Sequence, residues 1–260
     1  MAAQFALSAD GTRIAYDVTG RGPALMLLHG MGKTRRDWHK AGYVDRLKDA
    51  YTVIAVDMRG TGDSDMPTEV SDYAADKVCA DVTAVADACG VERFGVCGYS
   101  FGGTVGRQLA ASTDRVAALA VIGVPLWGPT VDEVFDRFIT DFLAKWQPVA
   151  DAHTTGSAAG QTKTSPIKGR MAVWVACFQA MRGWPATRAA DILCPSLLVC
   201  GTKSHTRAAD WAQANKEALD GTCARVEVVE GLSHLQEFSA IDRVFPVVRE
   251  FLERPDMEGG

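Results

Sequence analysis

The sequence predicts a mostly parallel, doubly wound α/β sheet, and three observations support this fold class. Short, nearly continuous apolar runs recur along the chain, and such runs are typical of strands buried on both faces of a parallel sheet. Helical patterns separate these runs, and the alternation of strand and helix favours an α/β fold. The predicted strands are residues 24–28, 51–56, 93–97, 116–122, 196–200 and 224–229.

The remaining elements follow from turn and helix signals. Residues 5–18 read as two strands joined at Asp10-Gly11, a pair that suits a hairpin turn with positive φ at the glycine. Residues 75–89 carry apolar side chains every three or four positions and end before Gly90, which indicates a helix with a glycine stop. The sheet is therefore expected to begin with an antiparallel hairpin.

Composition limits the function classes. The chain has 260 residues, of which 47% are hydrophobic and 23% charged, so it can bury a full core and is not expected to be disordered. Its net charge of −5 gives no basic surface to attract phosphates, which argues against a nucleic-acid partner. One catalytic-sized domain with a small-molecule partner is the preferred interpretation, and the sequence indicates no oligomeric state.

Targeting and metal signals are missing from the sequence. No apolar run approaches the roughly 18 residues of a membrane helix, and the first residues lack the charge and apolar pattern of a secretory signal. The seven cysteines form no Cys-x-x-Cys pair and are interpreted as reduced core residues of a cytoplasmic protein. No metal-ligand spacing occurs, so neither a metal nor another cofactor is expected.

The alternation breaks between residues 126 and 190, where helical patterns occur without a strand. The prediction is a helical cap at 126–190, inserted after strand six, with a core domain of residues 1–125 and 191–260. Four of the six tryptophans lie in this cap segment, and they either pack a small lid or form an apolar roof over a substrate pocket. Residues 151–165 are polar and rich in small side chains, which predicts a mobile loop.

The first chemical motif is Gly98-Tyr99-Ser100-Phe101-Gly102. A Gly-x-Ser-x-Gly match alone is weak, but this one lies between a predicted strand and a predicted helix. That context indicates a nucleophile elbow, in which a tight turn lifts the serine hydroxyl out of the sheet. The Phe101 N–H would then lie at a helix N-terminus, where it can stabilise an oxyanion. The alternative is a buried glycine-rich turn without chemistry.

The second motif, His29-Gly30-Met31-Gly32, follows the predicted strand 24–28 and offers the Met31 N–H as a second oxyanion donor. A competing interpretation is a phosphate-binding loop, because Gly32-Lys33-Thr34 copies the end of that motif. Its first glycine would fall on Leu27, inside the strand, so the phosphate cradle cannot form. Nucleotide binding is therefore disfavoured.

A third residue completes the pattern. His234 lies between the last predicted strand and a C-terminal helix at 240–252, and it follows Ser100 in chain order.

With these motifs assembled, the whole chain resembles the α/β-hydrolase family. The resemblance implies Ser100 as nucleophile, His234 as general base and the Met31 and Phe101 amides as the oxyanion hole. It also implies that the Asp57–Asp65 turn is structural. The residues expected to line the substrate pocket are His29, Gly30, Tyr99 and Trp127.

One position departs from the family pattern. Family members usually carry an aspartate a few residues after the seventh strand, and Ser204 stands there in this chain. Three explanations are open: Ser204 orients the histidine as a neutral acceptor, a carboxylate such as Asp132 or Glu133 serves, or the site is degenerate. Ser204 is preferred for its position. Asp210 and Glu237 are not favoured, because the helices after their loops are expected to carry them away from the pocket.

The resemblance thus favours a serine hydrolase that cleaves an ester, a lactone or a related acyl substrate with an apolar portion. Two alternatives stay open: a catalytically degenerate ligand-binding protein, and a hydrolase or lyase that cleaves carbon–carbon bonds with the same site. Epoxide and haloalkane hydrolysis are disfavoured, because in the family these reactions use an aspartate nucleophile and position 100 is serine.

Overall fold

The computed structural model describes residues 3–157 and 166–253, and it confirms the predicted fold class. Its sheet has eight strands in the order β1-β2-β4-β3-β5-β6-β7-β8. The strands are β1 Gln4–Leu7, β2 Arg13–Gly20, β3 Ala24–Leu28, β4 Thr52–Val56, β5 Phe94–Tyr99, β6 Val116–Ile122, β7 Ser196–Gly201 and β8 Ala224–Val229. The helices are α1 Arg35–Lys40, α2 Tyr43–Leu47, α3 Ala75–Ala88, α4 Phe101–Ser112, α5 Glu133–Ser157, α6 Pro166–Met181, α7 Ala208–Ala214, α8 Lys216–Asp220, α9 His234–Ser239 and α10 Ile241–Leu252.

Each predicted strand is present, with ends that differ by no more than two residues. β1 and β2 form the expected antiparallel hairpin, and Gly11 in its turn has φ +83°. β2 pairs antiparallel with β4, and every later pairing is parallel. Parallel strands end at the same edge of a sheet, so the loops after β3, β5, β6, β7 and β8 meet there.

The apolar runs in the sequence reflect a sheet that is covered on both faces. Alternate side chains of β3 pack in different clusters: Met26 and Leu28 pack with α3 and α4, whereas Leu25 and Leu27 pack with α1, α2 and α10. Because successive side chains of a strand point to opposite faces, a strand covered on both sides must be apolar at every position.

The cap segment contains α5 and α6, which lie between β6 and β7 in the chain. Phe142 on α5 packs against Trp174 and Phe178 on α6. The domain limits at 126 and 190 stay a prediction. The expected loop is wrong for residues 151–157, because α5 continues past Pro148 as far as Ser157. Residues 158–165 lie outside the described part of the chain.

Both ends of the cap segment are attached to α4, the helix that follows Ser100. The buried Arg107 guanidinium donates hydrogen bonds of 3.0 Å to the carbonyls of Pro125 and Pro129, and burial lowers the pKa of this side chain to about 10. The neighbouring Gln108 amide donates to Pro185 O at 2.6 Å. Next to these contacts, Gly128 and Thr187 form an antiparallel backbone bridge, which joins the segment that enters the cap to the segment that leaves it.

Several absences hold for the described residues alone. None of the helices within residues 3–157 and 166–253 is long and apolar enough to cross a membrane. In the same ranges no group of histidine, cysteine, aspartate and glutamate side chains is arranged to hold a metal ion. All seven cysteines are free thiols, and Cys223 is the exposed one.

A buried ion pair fixes the turn after β4. The Arg59 guanidinium donates to both oxygens of Asp81 on α3 at 2.6 Å, and each of these side chains is 1% exposed. Arg59 also contacts Asp10 in the hairpin at 2.9 Å. Burial acts to raise the pKa of Asp10, but hydrogen bonds from Arg59 and Thr12 outweigh it and hold the pKa at about 2.

We expect Arg59→Met to lower the free energy of unfolding by about 3–5 kcal/mol, because it leaves the Asp81 carboxylate buried without its partner. Arg13→Met is the matched control. It removes an exposed ion pair with Asp65 and should cost less than about 1 kcal/mol. Urea denaturation at pH 7 measures the free energy of unfolding of both variants. Equal losses of stability would contradict the inference that the buried Arg59–Asp81 ion pair stabilises the fold more than the exposed Arg13–Asp65 pair.

Candidate active site

Ser100 lies in a strained turn between β5 and α4. Its backbone has φ +54° and ψ −116°, a conformation that residues with a side chain rarely adopt. The flanking glycines permit this turn: a Cβ at Gly98 would collide with the backbone of Gly102, and a Cβ at Gly102 would collide with the Leu28 carbonyl of β3. The predicted elbow geometry is therefore present.

The structure brings His234 to Ser100, 134 residues away in the chain. The His234 Nε2 atom lies 2.8 Å from Ser100 Oγ. Tyr99 supports the imidazole from below, because its ring stacks on the His234 ring at 5.0 Å and its hydroxyl donates to the His234 carbonyl at 2.8 Å. Burial, with a smaller contribution from the Glu237 charge, raises the pKa of the Tyr99 phenol, which keeps this donor protonated.

The other imidazole nitrogen contacts a carboxylate that the sequence interpretation had set aside. The His234 Nδ1 atom lies 2.6 Å from Glu237 Oε2, and the Glu237 side chain is fully buried. The expectation that a helix carries Glu237 away is wrong, because α9 begins at His234 itself. Residues three apart lie on one face of a helix, so the same turn presents both side chains.

Ser204 lies beside this pair but does not take the place of the acid. Its Oγ atom is 3.4 Å from His234 Nδ1 and donates a 3.2 Å hydrogen bond to Glu237 Oε2. The expectation that Ser204 is the main partner of the histidine is therefore wrong, since the glutamate oxygen lies closer to Nδ1 than the serine hydroxyl does. The second Glu237 oxygen accepts from the Gly201 N–H at 2.7 Å.

The other carboxylates that were weighed have different partners. Asp132 accepts from the backbone N–H of Phe135 and caps α5, and Glu133 is exposed beside it. Asp210 forms an exposed ion pair with Arg207.

Gly123 makes room for the His234–Glu237 contact. It follows β6 with φ +84°, and a Cβ there would lie 2.9 Å from His234 Nδ1 and collide with Glu237 Oε2. The sequence interpretation did not identify this residue. A glycine at the carboxyl end of a central strand was the available signal.

The loop after β3 passes directly over the elbow. A Cβ on Gly30 would lie 2.8 Å from the Tyr99 ring and 3.1 Å from Ser100 Cβ. Met31 directly follows Gly30, the residue that contacts the elbow. Phe101 is the first residue of α4. Of the two predicted oxyanion donors, the Phe101 N–H directly follows Ser100 at the start of α4, and the role of the Met31 N–H stays a prediction.

His29 supports this loop from the interior. Its side chain is fully buried, with Nδ1 2.9 Å from Gly30 O and Nε2 3.0 Å from Thr61 Oγ1. The Met58 N–H also donates to Nε2 at 3.2 Å, and burial lowers the pKa of the imidazole. The prediction that His29 lines the pocket is wrong, because both ring nitrogens are used to join the loop to the turn after β4.

That turn is built around a buried aspartate, in line with the structural role expected of it. Asp57 is fully buried and accepts from the backbone N–H groups of Arg35 at 2.7 Å and Asp63 at 2.9 Å. The Arg35 guanidinium contacts the same carboxylate. The turn therefore serves as a rigid support beneath His29.

Aromatic side chains of the cap segment contact α7 and the loop after β3. Trp127 packs edge to face on Trp211 of α7 at 4.9 Å, and a Cβ on Gly32 would meet the Trp174 ring at 3.3 Å. The ring of the exposed His205 stands edge-on to His234 at 4.8 Å, and burial, together with the charge of His234, lowers its pKa. The sequence interpretation singled out Trp127 alone from this group as a pocket residue.

Comparison with known proteins identifies the fold family of the chain. A family model for the alpha/beta hydrolase fold matches residues 23–165, which is more than half of the chain. The chain belongs to the alpha/beta hydrolase fold family. The family prediction is thereby confirmed.

Individual similarities are distant. Epoxide hydrolase 3 from Xenopus tropicalis is 24% identical over 94% of this chain and 76% of its own length. Fluoroacetate dehalogenase from Burkholderia sp. is 33% identical, but over 50% of this chain and 43% of its own length. A structure of epoxide hydrolases from metagenomes of hot environments superposes with a TM-score of 0.75 at 18% identity, covering 97% of this chain and 98% of that one. This last likeness shows the fold alone.

We expect Gly123→Ala to break the His234–Glu237 hydrogen bond, because the new methyl group occupies the space of the carboxylate. Proton NMR of the imidazole N–H measures this as loss of the low-field signal of the short hydrogen bond. Gly90→Ala is the matched control, since Gly90 also has positive φ but has open space around it. A signal that persists in Gly123→Ala, or is lost in both variants, would contradict the steric role of Gly123.

Proposed function

We propose that this alpha/beta hydrolase fold protein is a serine hydrolase that cleaves an ester, a lactone or a related acyl bond through an acyl-enzyme on Ser100. One observation carries the proposal. An unbroken line of contacts runs from Ser100 Oγ to His234 at 2.8 Å and from His234 to the buried Glu237 at 2.6 Å. A nucleophile, a base and an orienting carboxylate in hydrogen-bond contact are the arrangement that acyl transfer requires.

The proposed reaction has two halves. His234 Nε2 accepts the Ser100 proton while Oγ forms a bond to the substrate carbonyl carbon, and the Met31 and Phe101 amides bind the resulting oxyanion. The imidazolium then returns the proton to the leaving oxygen as its bond to the acyl carbon breaks. In the second half His234 accepts a proton from a water molecule whose oxygen attacks the acyl carbon. His234 then returns this proton to Ser100 Oγ as the bond between Oγ and the acyl carbon breaks, which releases the acid and restores the serine.

Glu237 is suited to hold the imidazole through these steps. Its contact at Nδ1 fixes the tautomer that leaves Nε2 free to accept the serine proton, and its charge stabilises the imidazolium. A fully buried carboxylate is costly unless it is hydrogen-bonded, and Gly201 N–H and Ser204 Oγ supply two further donors. The proposal therefore assigns the acid to Glu237 and a supporting hydroxyl to Ser204.

The names of the relatives suggest epoxide or carbon–halogen chemistry, but the nucleophile argues for a carbonyl substrate. When a carboxylate attacks a saturated carbon, the product is an ester, which water can hydrolyse. When the Ser100 hydroxyl attacks the same carbon, the product is an ether, which this site has no means to cleave. Turnover through Ser100 therefore requires a carbonyl carbon, where a covalent intermediate remains hydrolysable.

The alternative of a ligand-binding protein without turnover loses its main support. That alternative depended on the missing acid after β7, and Glu237 supplies a carboxylate to the same imidazole nitrogen. The strained backbone of Ser100 points the same way, because such strain is typical of functional positions.

The pocket side of the site favours a substrate with an apolar portion. Trp174 lies next to Gly32 in the loop after β3, and its ring adds apolar surface on that side. We therefore propose a small organic acyl compound as the substrate class, with no cofactor.

The first test is hydrolysis of p-nitrophenyl esters of increasing acyl chain length by the wild type and by Ser100→Ala. The panel includes a terminal epoxide and a haloalkane of matched size. We expect ester turnover that falls by at least about 10⁴-fold in Ser100→Ala, because no nucleophile remains, and no turnover of the other two compounds. Equal ester rates in the two proteins, or epoxide opening by the wild type, would overturn the proposal.

A second test separates the two partners of His234. Glu237→Gln should reduce kcat by about 10³–10⁴-fold, because the imidazolium loses its charged partner, whereas Ser204→Ala should reduce it by less than about tenfold. Thermal unfolding serves as the control for folding in both variants. The opposite order of effects would return the orienting role to Ser204.

A further inference from the structure

The β8 strand forms an open edge of the sheet. In the described ranges, 3–157 and 166–253, β8 pairs with β7 and no strand follows it in the sheet order. Every residue of β8 is partly or fully exposed, whereas every residue of β7 is buried. An edge of this kind presents backbone donors and acceptors to another chain.

The hydrogen bonds to β7 define which backbone groups point outward. Ser196 N donates to Cys223 O, and Thr202 N donates to Val229 O, so odd-numbered residues of this stretch face β7. Because backbone direction alternates along a strand, the N–H and C=O groups of Ala224, Val226 and Val228 face away from the sheet.

The side chains alternate in a second way. Arg225 lies on the face of the sheet covered by α10, where its guanidinium contacts Glu250 at 2.6 Å, and Glu227 shares that face. Val226 and Val228 lie on the other face and line a groove of about 460 Å³ between β8 and α7–α8. Val228 is 43% exposed there, although it is an aliphatic side chain in a strand.

We propose that the β8 edge binds a second copy of this chain, with the two β8 strands antiparallel and related by a twofold axis at Val226. In this register Ala224 pairs with Val228 of the second copy and Val226 with its own equivalent. Each of these pairs exchanges two backbone hydrogen bonds, since all three residues point outward. The two sheets join into one continuous sheet.

Charge complementarity selects both the occupant and the register. With the axis at Val226, Arg225 stands opposite Glu227 of the second copy, and the pair occurs twice. An axis at Arg225 would place two arginines opposite each other, and an axis at Glu227 would place two glutamates opposite each other. Opposite charges across paired strands are favourable and like charges are not. Of these three registers, the one with the axis at Val226 is the one that pairs opposite charges.

The edge also lacks three of the features that prevent such pairing. β8 contains no proline and no lysine, and its pairing with β7 runs without a bulge. Pairing would cover Val228 and place the valines of the second copy beside the groove, which adds apolar contact to the hydrogen bonds.

Sedimentation equilibrium of the full chain over a range of concentrations tests the proposal. We expect a dimer in the wild type and a rise in the dissociation constant of about tenfold or more in Arg225→Glu and in Glu227→Arg, because each change turns both cross-strand pairs repulsive. An equimolar mixture of the two variants should recover the dimer, since opposite charges then face each other. Glu92→Arg, an exposed change of equal charge elsewhere, should leave the dissociation constant unchanged.

Val226→Pro provides an independent measurement. It removes the outward N–H at the proposed axis but no bond to β7, so the chain should keep its far-ultraviolet circular dichroism and lose the dimer. A wild type that is monomeric at every concentration overturns the proposal. A dimer that survives the charge variants, or a variant mixture that stays monomeric, overturns it as well, and these results do not depend on Val226→Pro folding.

Discussion

The contact between His234 and the buried Glu237 imposes the strictest constraint on this structure. A carboxylate without solvent contact is tolerated only where donors surround it, and here they come from separate elements. The end of β7 supplies Gly201 N–H, the loop after it supplies Ser204, and α9 supplies His234 itself. The end of β7 must therefore lie against the first turn of α9 for the Glu237 carboxyl group to keep these partners.

The elbow depends on the same convergence of strand ends. Ser100 holds a backbone conformation that costs free energy, and the close packing of glycines against β3 and Tyr99 keeps it there. Because α4 begins at this turn and also holds both connections to the cap segment, one helix links the serine, the sheet and the aromatic side chains above it. Rigid support of this kind is what catalytic geometry requires.

Most of the fold could be predicted from sequence, because strands buried on both faces leave continuous apolar runs. The nucleophile turn and the histidine were also visible, since their motifs are local. Glu237 was missed for a physical reason: its position depends on where α9 begins, and that start was expected several residues later. Ser233 and Gln236 carry a capping-box pattern that marks a helix start at His234, so a local signal was present. The sequence shows a glycine at the end of β6, but the steric role of Gly123 depends on the packing of β6 against α9, which no local motif encodes.

The bridge between Gly128 and Thr187 has a consequence for how the family can vary. The chain leaves the sheet and returns to it at neighbouring points, so residues 128–187 form a segment whose two ends lie side by side. Arg107 and Gln108 hold these two ends through hydrogen bonds. Ser100 and His234 lie outside that segment, and their contact with each other does not pass through it. Under the proposed function, exchange of that segment would therefore change the surface that meets the substrate while Ser100 and His234 keep their supports in the sheet.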